Sequence, residues 1–262
     1  MPPETGLGRV QLVGAGPGPA DLLTVRALRA VEGAQALLYD ALISSEVLAL
    51  APASCLKMQT GKRAGRASMA QTTINRLMLR LARRGLRVVR LKGGDPSIFG
   101  RVGEERDFLQ SHGIEVEVVP GVTAACAAAA QFGFPLSHRG EARRVLISTA
   151  TVTDGALADD GWLAAADRET TLALYMGRDQ AAAIADRLIR HGRAATTPAL
   201  AVENAGSPDA RAIASTLEHL ADALAAARPS GPVVLLIGDV TARAGIAGCA
   251  PTVAPSLRRA AR

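Results

Sequence analysis

The most informative stretch of the chain reads Val88-Val-Arg-Leu-Lys-Gly-Gly-Asp-Pro-Ser-Ile-Phe-Gly-Arg101. Its first residues form an apolar run rich in β-branched side chains, which predicts a buried strand. Two adjacent glycines, Gly93 and Gly94, then allow a positive φ or a close approach of the backbone to a ligand. Asp95 follows, where its carboxylate can accept hydrogen bonds from hydroxyl groups. Ligands of open α/β sheets bind beyond the carboxyl ends of the strands, so the stretch predicts either a ligand loop or an ordinary βα turn.

The sequence on both sides alternates strands with helices, which predicts an α/β fold. A first strand over residues 10–13 runs into Gly14-Ala-Gly-Pro-Gly18, and Asp21 is the expected N-cap of a helix over residues 22–30. A helix over residues 69–84 is expected to start at Ser68, and one over residues 102–112 has Ser97 as its candidate cap. Beyond residue 144 the pattern restarts with denser turn signals, which indicates some antiparallel pairing.

The composition limits the classes of function. The chain has 262 residues, 48% of them hydrophobic, which suffices for one large domain or two small ones. Its formal net charge of +6 fits an anionic substrate, nucleic acid or an Arg-rich proteome. Aromatic residues make up 3% of the chain, fewer than a stacking surface for single-stranded nucleic acid needs.

Cysteines, termini and apolar runs give further expectations. The three cysteines are far apart and form no CxxC motif, so neither a disulfide framework nor a metal site is expected. No charged segment leads into an apolar run at the N-terminus, and no apolar run approaches the ~20 residues of a membrane span. The sequence is therefore interpreted as a soluble cytoplasmic protein with no membrane partner.

Several motifs, taken in order, resemble the uroporphyrinogen-III C-methyltransferase branch of the tetrapyrrole methylase family. The ordered set covers roughly residues 9 to 240 and is far more specific than any single motif. Besides the stretch around Gly93, its members are Val13-Gly-Ala-Gly-Pro-Gly18, Tyr39-Asp-Ala-Leu42, Gly61-Lys-Arg-Ala-Gly65, Val118-Val-Pro-Gly-Val-Thr-Ala-Ala125, Pro135-Leu-Ser-His-Arg139, Tyr175-Met-Gly177 and Val202-Glu-Asn204.

The resemblance implies a two-domain α/β fold that differs from the Rossmann methyltransferases, with the cofactor in a cleft between the domains. The domains are expected over residues 1–140 and 141–245, followed by a disordered basic tail over residues 246–262. The implied reaction converts uroporphyrinogen III to precorrin-2 by two successive methylations, at C2 and C7, with S-adenosylmethionine as donor and no metal. A homodimer is also implied. The resemblance does not tell whether the product feeds sirohaem, cobalamin or haem d1.

The resemblance also assigns roles to individual residues. It implies Asp40 as proton acceptor and Lys62 as proton donor. It implies that S-adenosylmethionine is bound by Pro17, Gly93, Gly94, Asp95, Ile98, Thr123, Ala124, Met176 and Ala205, and Pro232 is expected to add a contact with the adenine. Ala150 stands where the family usually has a histidine, and the consequence of that change is left open.

The chemistry of the substrate indicates further candidates. A porphyrinogen carries many carboxylates, which arginines can bind through two parallel hydrogen bonds. Arg63, Arg66, Arg101 and Arg139 are therefore candidate substrate ligands. Glu104 lies three residues after Arg101, one helical turn away, and is expected to orient its guanidinium toward the substrate. Arg101 is thus predicted to be the substrate-side residue on which activity depends most.

Two other functions remain open at this point. An enzyme of the same fold could methylate ribosomal RNA or another corrin precursor, which the basic charge allows. A basic binding module without activity would need a positive groove but not the Gly93-Gly94-Asp95 turn. Low aromatic content argues against the RNA alternative, and the tetrapyrrole-specific motifs argue against both.

Overall fold

A computed structural model of the chain describes residues 6–61, 69–150 and 159–245. The chain divides into two compact units, with the boundary between Ala127 and Ala128. The sequence instead predicts a link near residue 140, and the limits of residues 1–140 and 141–245 for the two domains stay a prediction. The tail expected over residues 246–262 lies outside the described residues.

The first unit is built on a sheet of five parallel strands in the order β3-β2-β4-β1-β5. Its strands are β1 (Val10–Gly14), β2 (Ala36–Tyr39), β3 (Leu56–Gln59), β4 (Val88–Lys92) and β5 (Val116–Val119). The helices are α1 (Val25–Glu32), α2 (Ser45–Ala49), α3 (Gln71–Arg83), α4 (Val102–Gln110) and α5 (Ala124–Gln131), the last of which crosses the unit boundary.

Apolar clusters cover both faces of this sheet, which is why its central strands read as nearly continuous apolar runs. One face packs Val13, Leu37 and Leu91 against α1 and α2. The other face packs Leu12 and Leu38 against α3 and α4. The predicted strand at residues 88–92 is confirmed as β4, which lies in the centre of the sheet between β2 and β1.

Three predicted helix caps are wrong. Thr24 is the N-cap of α1, because its Oγ1 accepts a hydrogen bond from the backbone N–H of Ala27, and Asp21 lies in a preceding 3-10 turn. α3 begins after Ala70 rather than at Ser68, which lies outside the described residues. α4 begins at Val102, as predicted, but its N-cap is Arg101, and Ser97 belongs to the turn before it.

The second unit contains a mixed sheet in the order β6-β7-β10-β8-β9. Only the β6–β7 pair among these is parallel, which confirms the predicted antiparallel pairing. Its elements are β6 (Arg144–Thr149), α6 (Asp159–Ala166), β7 (Thr170–Tyr175), α7 (Ala181–Arg190), β8 (Pro198–Glu203), β9 (Arg211–Thr216), α8 (Leu220–Ala227) and β10 (Val233–Ile237).

One apolar cluster forms the core of the second unit. It joins β7, β8 and β10 to α6, α7 and α8, with Leu174, Leu188 and Leu220 fully buried. In the part of the chain that the structure describes, no helix is both long and apolar enough to cross a bilayer.

Candidate functional site

The carboxyl edge of the first sheet collects most of the predicted site residues of that unit. All five strands run parallel and therefore end at this edge. Asp40 and Thr60 directly follow β2 and β3, and Pro17 lies in the loop after β1. The Gly93-Gly94 turn follows β4 and continues to Ile98, while the loop after β5 leads to Thr123 and to Ala124, the first residue of α5.

Three loops meet here, backbone against backbone. Gly16 and Gly94 exchange two hydrogen bonds of 2.7 and 3.2 Å, which pairs the loop after β1 with the turn after β4. A Cβ added at Gly121 would lie 2.3 Å from the carbonyl oxygen of Gly94 and 2.9 Å from Cα of Gly14. Glycine is therefore required where the loop after β5 contacts the other two.

Asp95 links two of these loops through its carboxylate. Its Oδ1 accepts a hydrogen bond of 2.7 Å from the backbone N–H of Ser97, and its Oδ2 accepts one of 3.0 Å from the backbone N–H of Gly121. Each carboxylate oxygen can accept a second hydrogen bond. Asp95 therefore fixes the shape of the edge and can still accept a bond from a ligand.

The turn at Gly93-Gly94 leaves room for a ligand to approach the backbone. A Cβ added at Gly94 would have Thr123 Cα as its nearest neighbour, at 3.9 Å, and one at Gly93 would contact only the Leu42 side chain, at 3.5 Å. Leu42 and Phe99 are 63% and 41% exposed at the same edge. Polar backbone and exposed apolar side chains together fit S-adenosylmethionine, which has a charged amino-acid part and a flat adenine ring.

The segment between the turn and α4 contains two residues in unusual backbone conformations. Phe99 and Arg101 adopt left-handed conformations, with φ of 53° and 56°. Such conformations cost roughly 1–3 kcal/mol each in residues other than glycine and are concentrated at functional sites. The strain lies in the segment that presents Arg101.

Arg101 and Glu104 form the pair that the sequence analysis predicts. Nε and Nη2 of Arg101 donate hydrogen bonds of 2.7 Å to the two oxygens of Glu104, and both side chains are 56% exposed. The hydrogen bond from Arg101 is the main cause that lowers the pKa of Glu104, and the same bond raises the pKa of Arg101. The pair is therefore charged at neutral pH and holds the guanidinium in one orientation at the surface.

A second charged group at this edge is mostly buried. Asp40 Oδ1 accepts a hydrogen bond of 2.5 Å from Nη2 of Arg90, whose Nη1 donates to Oγ1 of Thr60 at 3.0 Å. The Thr60 hydroxyl in turn lies 3.4 Å from Asp40 Oδ1. The Arg90 side chain is 3% exposed and that of Asp40 is 32% exposed, so the pair runs from the interior to the open edge.

Glu105 lies behind this pair and is completely buried on α4. Its carboxylate accepts hydrogen bonds from Nε of Arg90 at 3.3 Å, from Nζ of Lys92 at 3.0 and 3.1 Å, and from Nε2 of Gln71 at 2.9 Å. Gln71 also donates to Asn75. Burial is the main cause that lowers the pKa of Lys92, the charge of Arg90 lowers it further, and Glu105 opposes both effects.

The second unit brings its own predicted cofactor residues to one edge of its sheet. Met176 follows β7 with a φ of 56°, Ala205 follows β8, and Pro232 precedes the antiparallel strand β10. Ala150 lies at the same edge, since its N–H bonds to the carbonyl of Tyr175 after the parallel strand β6. The edge therefore collects the predicted cofactor ligands of this unit.

Glu203 shapes the loop that leads to Pro232. Its Oε1 accepts hydrogen bonds from the backbone N–H groups of Ser230 and Gly231, at 2.6 and 2.7 Å. The bond from Gly231 is the largest of the causes that lower the pKa of Glu203. The Glu203 carboxylate thus fixes this loop beside Asn204, whose N–H donates to the Pro232 carbonyl.

Four predicted site residues are not part of either edge as described. Lys62, Arg63 and Arg66 lie outside the described residues. Arg139 is exposed in the segment between α5 and β6. Among the described residues, no group of three or more His, Cys, Asp or Glu side chains is arranged to hold a metal ion.

Sequence reasoning missed the buried charges behind Asp40. Arg90 and Lys92 are two residues apart in an otherwise apolar strand, which places both on the same face of the sheet. Two cations on one face of a central strand require buried carboxylates nearby. That signal was present in the sequence, but the partner Glu105 could not be singled out from its exposed neighbour Glu104.

A family model described as Tetrapyrrole (Corrin/Porphyrin) Methylases matches residues 9–221. The chain belongs to the tetrapyrrole methylase family. The uroporphyrinogen-III C-methyltransferase of Paracoccus denitrificans (strain Pd 1222) is 45% identical over 241 residues, which are 92% of this chain and 84% of that relative. The siroheme synthase of Azotobacter vinelandii is also 45% identical, over 89% of this chain, but the chain spans only 50% of that relative's length.

Solved structures of tetrapyrrole methylases share the fold. The uroporphyrin-III C-methyl transferase of Thermus thermophilus, complexed with S-adenyl homocysteine, is 42% identical with a TM-score of 0.75 and covers 90% of this chain and 99% of its own. A cobalt precorrin-4 methyltransferase is 28% identical with a TM-score of 0.81, covering 89% and 95%. These likenesses confirm the predicted two-domain tetrapyrrole methylase fold.

Proposed function

We propose that the chain is an S-adenosylmethionine-dependent C-methyltransferase that converts uroporphyrinogen III to precorrin-2 by methylation at C2 and then C7. Family membership and the named relatives support the methyl donor and the tetrapyrrole substrate. The observation that carries the proposal is the carboxyl edge of the first sheet. There Asp40, whose carboxylate is partly exposed, and the Gly93-Gly94 turn follow the neighbouring strands β2 and β4, and the turn leads on to Arg101, whose guanidinium Glu104 orients.

Cofactor binding is assigned to residues at the two sheet edges. In the first unit these are Pro17, Gly93, Gly94, Asp95, Ile98, Thr123 and Ala124, and in the second Met176, Ala205 and Pro232. When bound, S-adenosylmethionine supplies a methyl group on a sulfonium whose leaving group is neutral, so the reaction itself calls for no metal. The main task of the residues is then to hold the ring carbon, the methyl group and the sulfur of the donor in line.

Substrate binding is assigned to cationic side chains. Arg101 is held by Glu104 with its remaining N–H groups available to bind a carboxylate of the porphyrinogen. Arg63, Arg66 and Arg139 are the further candidates. Exposed Leu42 suits contact with the apolar face of the macrocycle.

Proton transfer is assigned to Asp40 and Lys62. Methylation leaves the ring system with a positive charge, and a proton must leave it so that the C–H or N–H electron pair neutralises the ring. Asp40 accepts that proton in the proposal, and a base placed within hydrogen-bond reach typically contributes about 10²–10⁴-fold to the rate. Lys62 is assigned the role of proton donor.

The decisive experiment incubates the chain anaerobically with uroporphyrinogen III and methyl-labelled S-adenosylmethionine. The expected product has gained two methyl groups, at C2 and C7, as mass spectrometry and NMR would show. Parallel incubations contain ribosomal RNA or later corrin precursors. Labelling of either in place of uroporphyrinogen III would contradict the proposal.

Assembly and location belong to the proposal as well. A homodimer is expected, and sedimentation at micromolar concentration checks it. The proposed setting is the cytoplasm, with no nucleic-acid or membrane partner, and cell fractionation tests it.

A further inference from the structure

Arg90 is a charged residue in the centre of an apolar strand. It lies in the middle of β4, in register with Leu12 on one side and Leu38 on the other. Its side chain is 3% exposed. A cationic guanidinium is therefore enclosed in the interior of the first unit, where a charge needs hydrogen-bonded partners.

Three elements fix the guanidinium of Arg90. Nη2 donates to Asp40 after β2, Nη1 donates to Thr60 after β3, and Nε donates to Glu105 on α4. Because the guanidinium is planar and rigid, these three contacts determine where it lies. The position of Asp40 Oδ1 is thereby tied to the interior of the first unit.

Stability alone gives a weak reason for this arrangement. Replacing a buried ion pair by apolar residues of similar volume is often neutral or stabilising. The neighbours Val88, Val89 and Leu91 show that the strand otherwise uses apolar residues. Lys92 donates to both oxygens of Glu105, so that carboxylate would keep a cationic partner without Arg90.

We infer that Arg90 is a positioning residue for the reaction and acts through Asp40. Arg90 holds Oδ1 of Asp40, so that the carboxylate presents a fixed edge to the substrate. The Thr60 hydroxyl lies 3.4 Å from the same oxygen and 3.1 Å from the Tyr39 carbonyl, and it accepts from Nη1 of Arg90, which fixes the guanidinium. The buried ion pair of Glu105 and Lys92 supports Arg90 from the interior and keeps it in place. The inference rests on the proposed role of Asp40 as proton acceptor.

The test is a double-mutant cycle of Arg90→Met and Asp40→Asn. Methionine has a similar length to arginine and lacks every hydrogen-bond donor of the guanidinium. Arg87→Met is the matched control, because Arg87 is exposed just before β4 and its guanidinium donates to the carbonyl of Gly33, away from Asp40. Turnover of uroporphyrinogen III, its KM and the calorimetric affinity for S-adenosylhomocysteine are measured for each protein.

The expected result is a loss in kcat of about 100-fold for Arg90→Met, the low end of what a general base contributes. KM and S-adenosylhomocysteine affinity stay within about threefold, and Arg87→Met behaves like the wild type. In the Asp40→Asn background, Arg90→Met has an effect of less than about twofold, because residues that act as a unit are not additive.

Three results would overturn the inference: normal turnover by Arg90→Met, an effect that multiplies with that of Asp40→Asn, or an equal loss in Arg87→Met. If Arg90→Met does not fold, Thr60→Val takes its place, and the same non-additivity is expected with a smaller loss. The wild type is measured in the same assay. An inactive wild type would contradict the proposed function, whereas an active wild type with independent effects contradicts only the role of Arg90.

Discussion

Replacing Gly121 by alanine tests how the three loops at the carboxyl edge of the first sheet are packed. The added Cβ would lie 2.3 Å from the Gly94 oxygen and 2.9 Å from Gly14 Cα. Optimal contacts between heavy atoms are at about 3.5–4.0 Å, so the loops must separate by roughly 1 Å. Both neighbours are backbone atoms, and no side-chain rotation can relieve the overlap.

The expected cost follows from this geometry. Overpacking typically costs about 1–3 kcal/mol, and a clash with two backbone segments is expected at the upper end of that range. For a chain of this size each kcal/mol lowers Tm by about 2–4 °C, so about 3 kcal/mol lowers it by about 6–12 °C. Separation of the loops also pulls the Gly121 N–H away from Asp95. We therefore expect affinity for S-adenosylhomocysteine to fall at least about tenfold, which is ~1.4 kcal/mol.

Gly103→Ala is the control for this experiment. Gly103 lies in α4, and a Cβ added there would meet nothing within 4 Å. Alanine is favoured over glycine in a helix by about 0.5–1 kcal/mol, so the control is expected to raise Tm slightly. Scanning calorimetry measures Tm, and titration calorimetry measures affinity. A Gly121→Ala protein with the Tm and affinity of the control would refute the backbone packing inferred for this edge.

Three further changes probe the same unit. Asp95→Ala removes a carboxylate that accepts two backbone hydrogen bonds, and bonds to a charged group are worth about 1.5–3 kcal/mol each. Both Tm and the affinity for S-adenosylhomocysteine should therefore fall. An unchanged affinity in a folded variant would exclude Asp95 from the cofactor site. Arg101→Lys keeps the charge but loses the bidentate hydrogen bonding to Glu104, so turnover should fall strongly. Tm should stay nearly constant, because exposed ion pairs add little stability. Near-normal methylation would contradict the proposed role of Arg101. Because Arg101 lowers the pKa of Glu104, the free energy of folding that the pair contributes is present above the usual pKa range of glutamate. It is lost only as pH falls through the lowered pKa. Tm measured over a pH series for the wild type and Arg101→Lys checks this. Lys92→Met removes the ammonium that donates to both oxygens of buried Glu105, while Arg90 still donates to that carboxylate, so the loss should be that of hydrogen bonds to a charged group, about 1.5–3 kcal/mol; a urea midpoint equal to that of the wild type would contradict this.

Local sequence signals located the first strand and the central strand of the first unit. The strand predicted over residues 10–13 is β1, and the apolar run from Val88 is β4, because short apolar runs between turn residues leave little freedom of assignment. Helix caps were less predictable. Asp21, Ser68 and Ser97 are all good capping residues by type, but a cap also needs the right backbone conformation where the chain enters the helix. That entry is set by the strand before it, as at Arg101, whose left-handed conformation precedes α4.

The sequence by itself determined the order of motifs, the family and the pairing of Arg101 with Glu104, because that pair lies within one helical turn. Only the tertiary structure decided which distant residues meet. Asp40 and Arg90 are 50 positions apart and come together because β2 and β4 are neighbours although β3 separates them along the chain. Strand order and register in a parallel sheet depend on the packing of the whole unit, so no local pattern specifies them. The same packing selected Glu105 rather than Glu104 for burial, since only one of two consecutive helical residues can face the sheet.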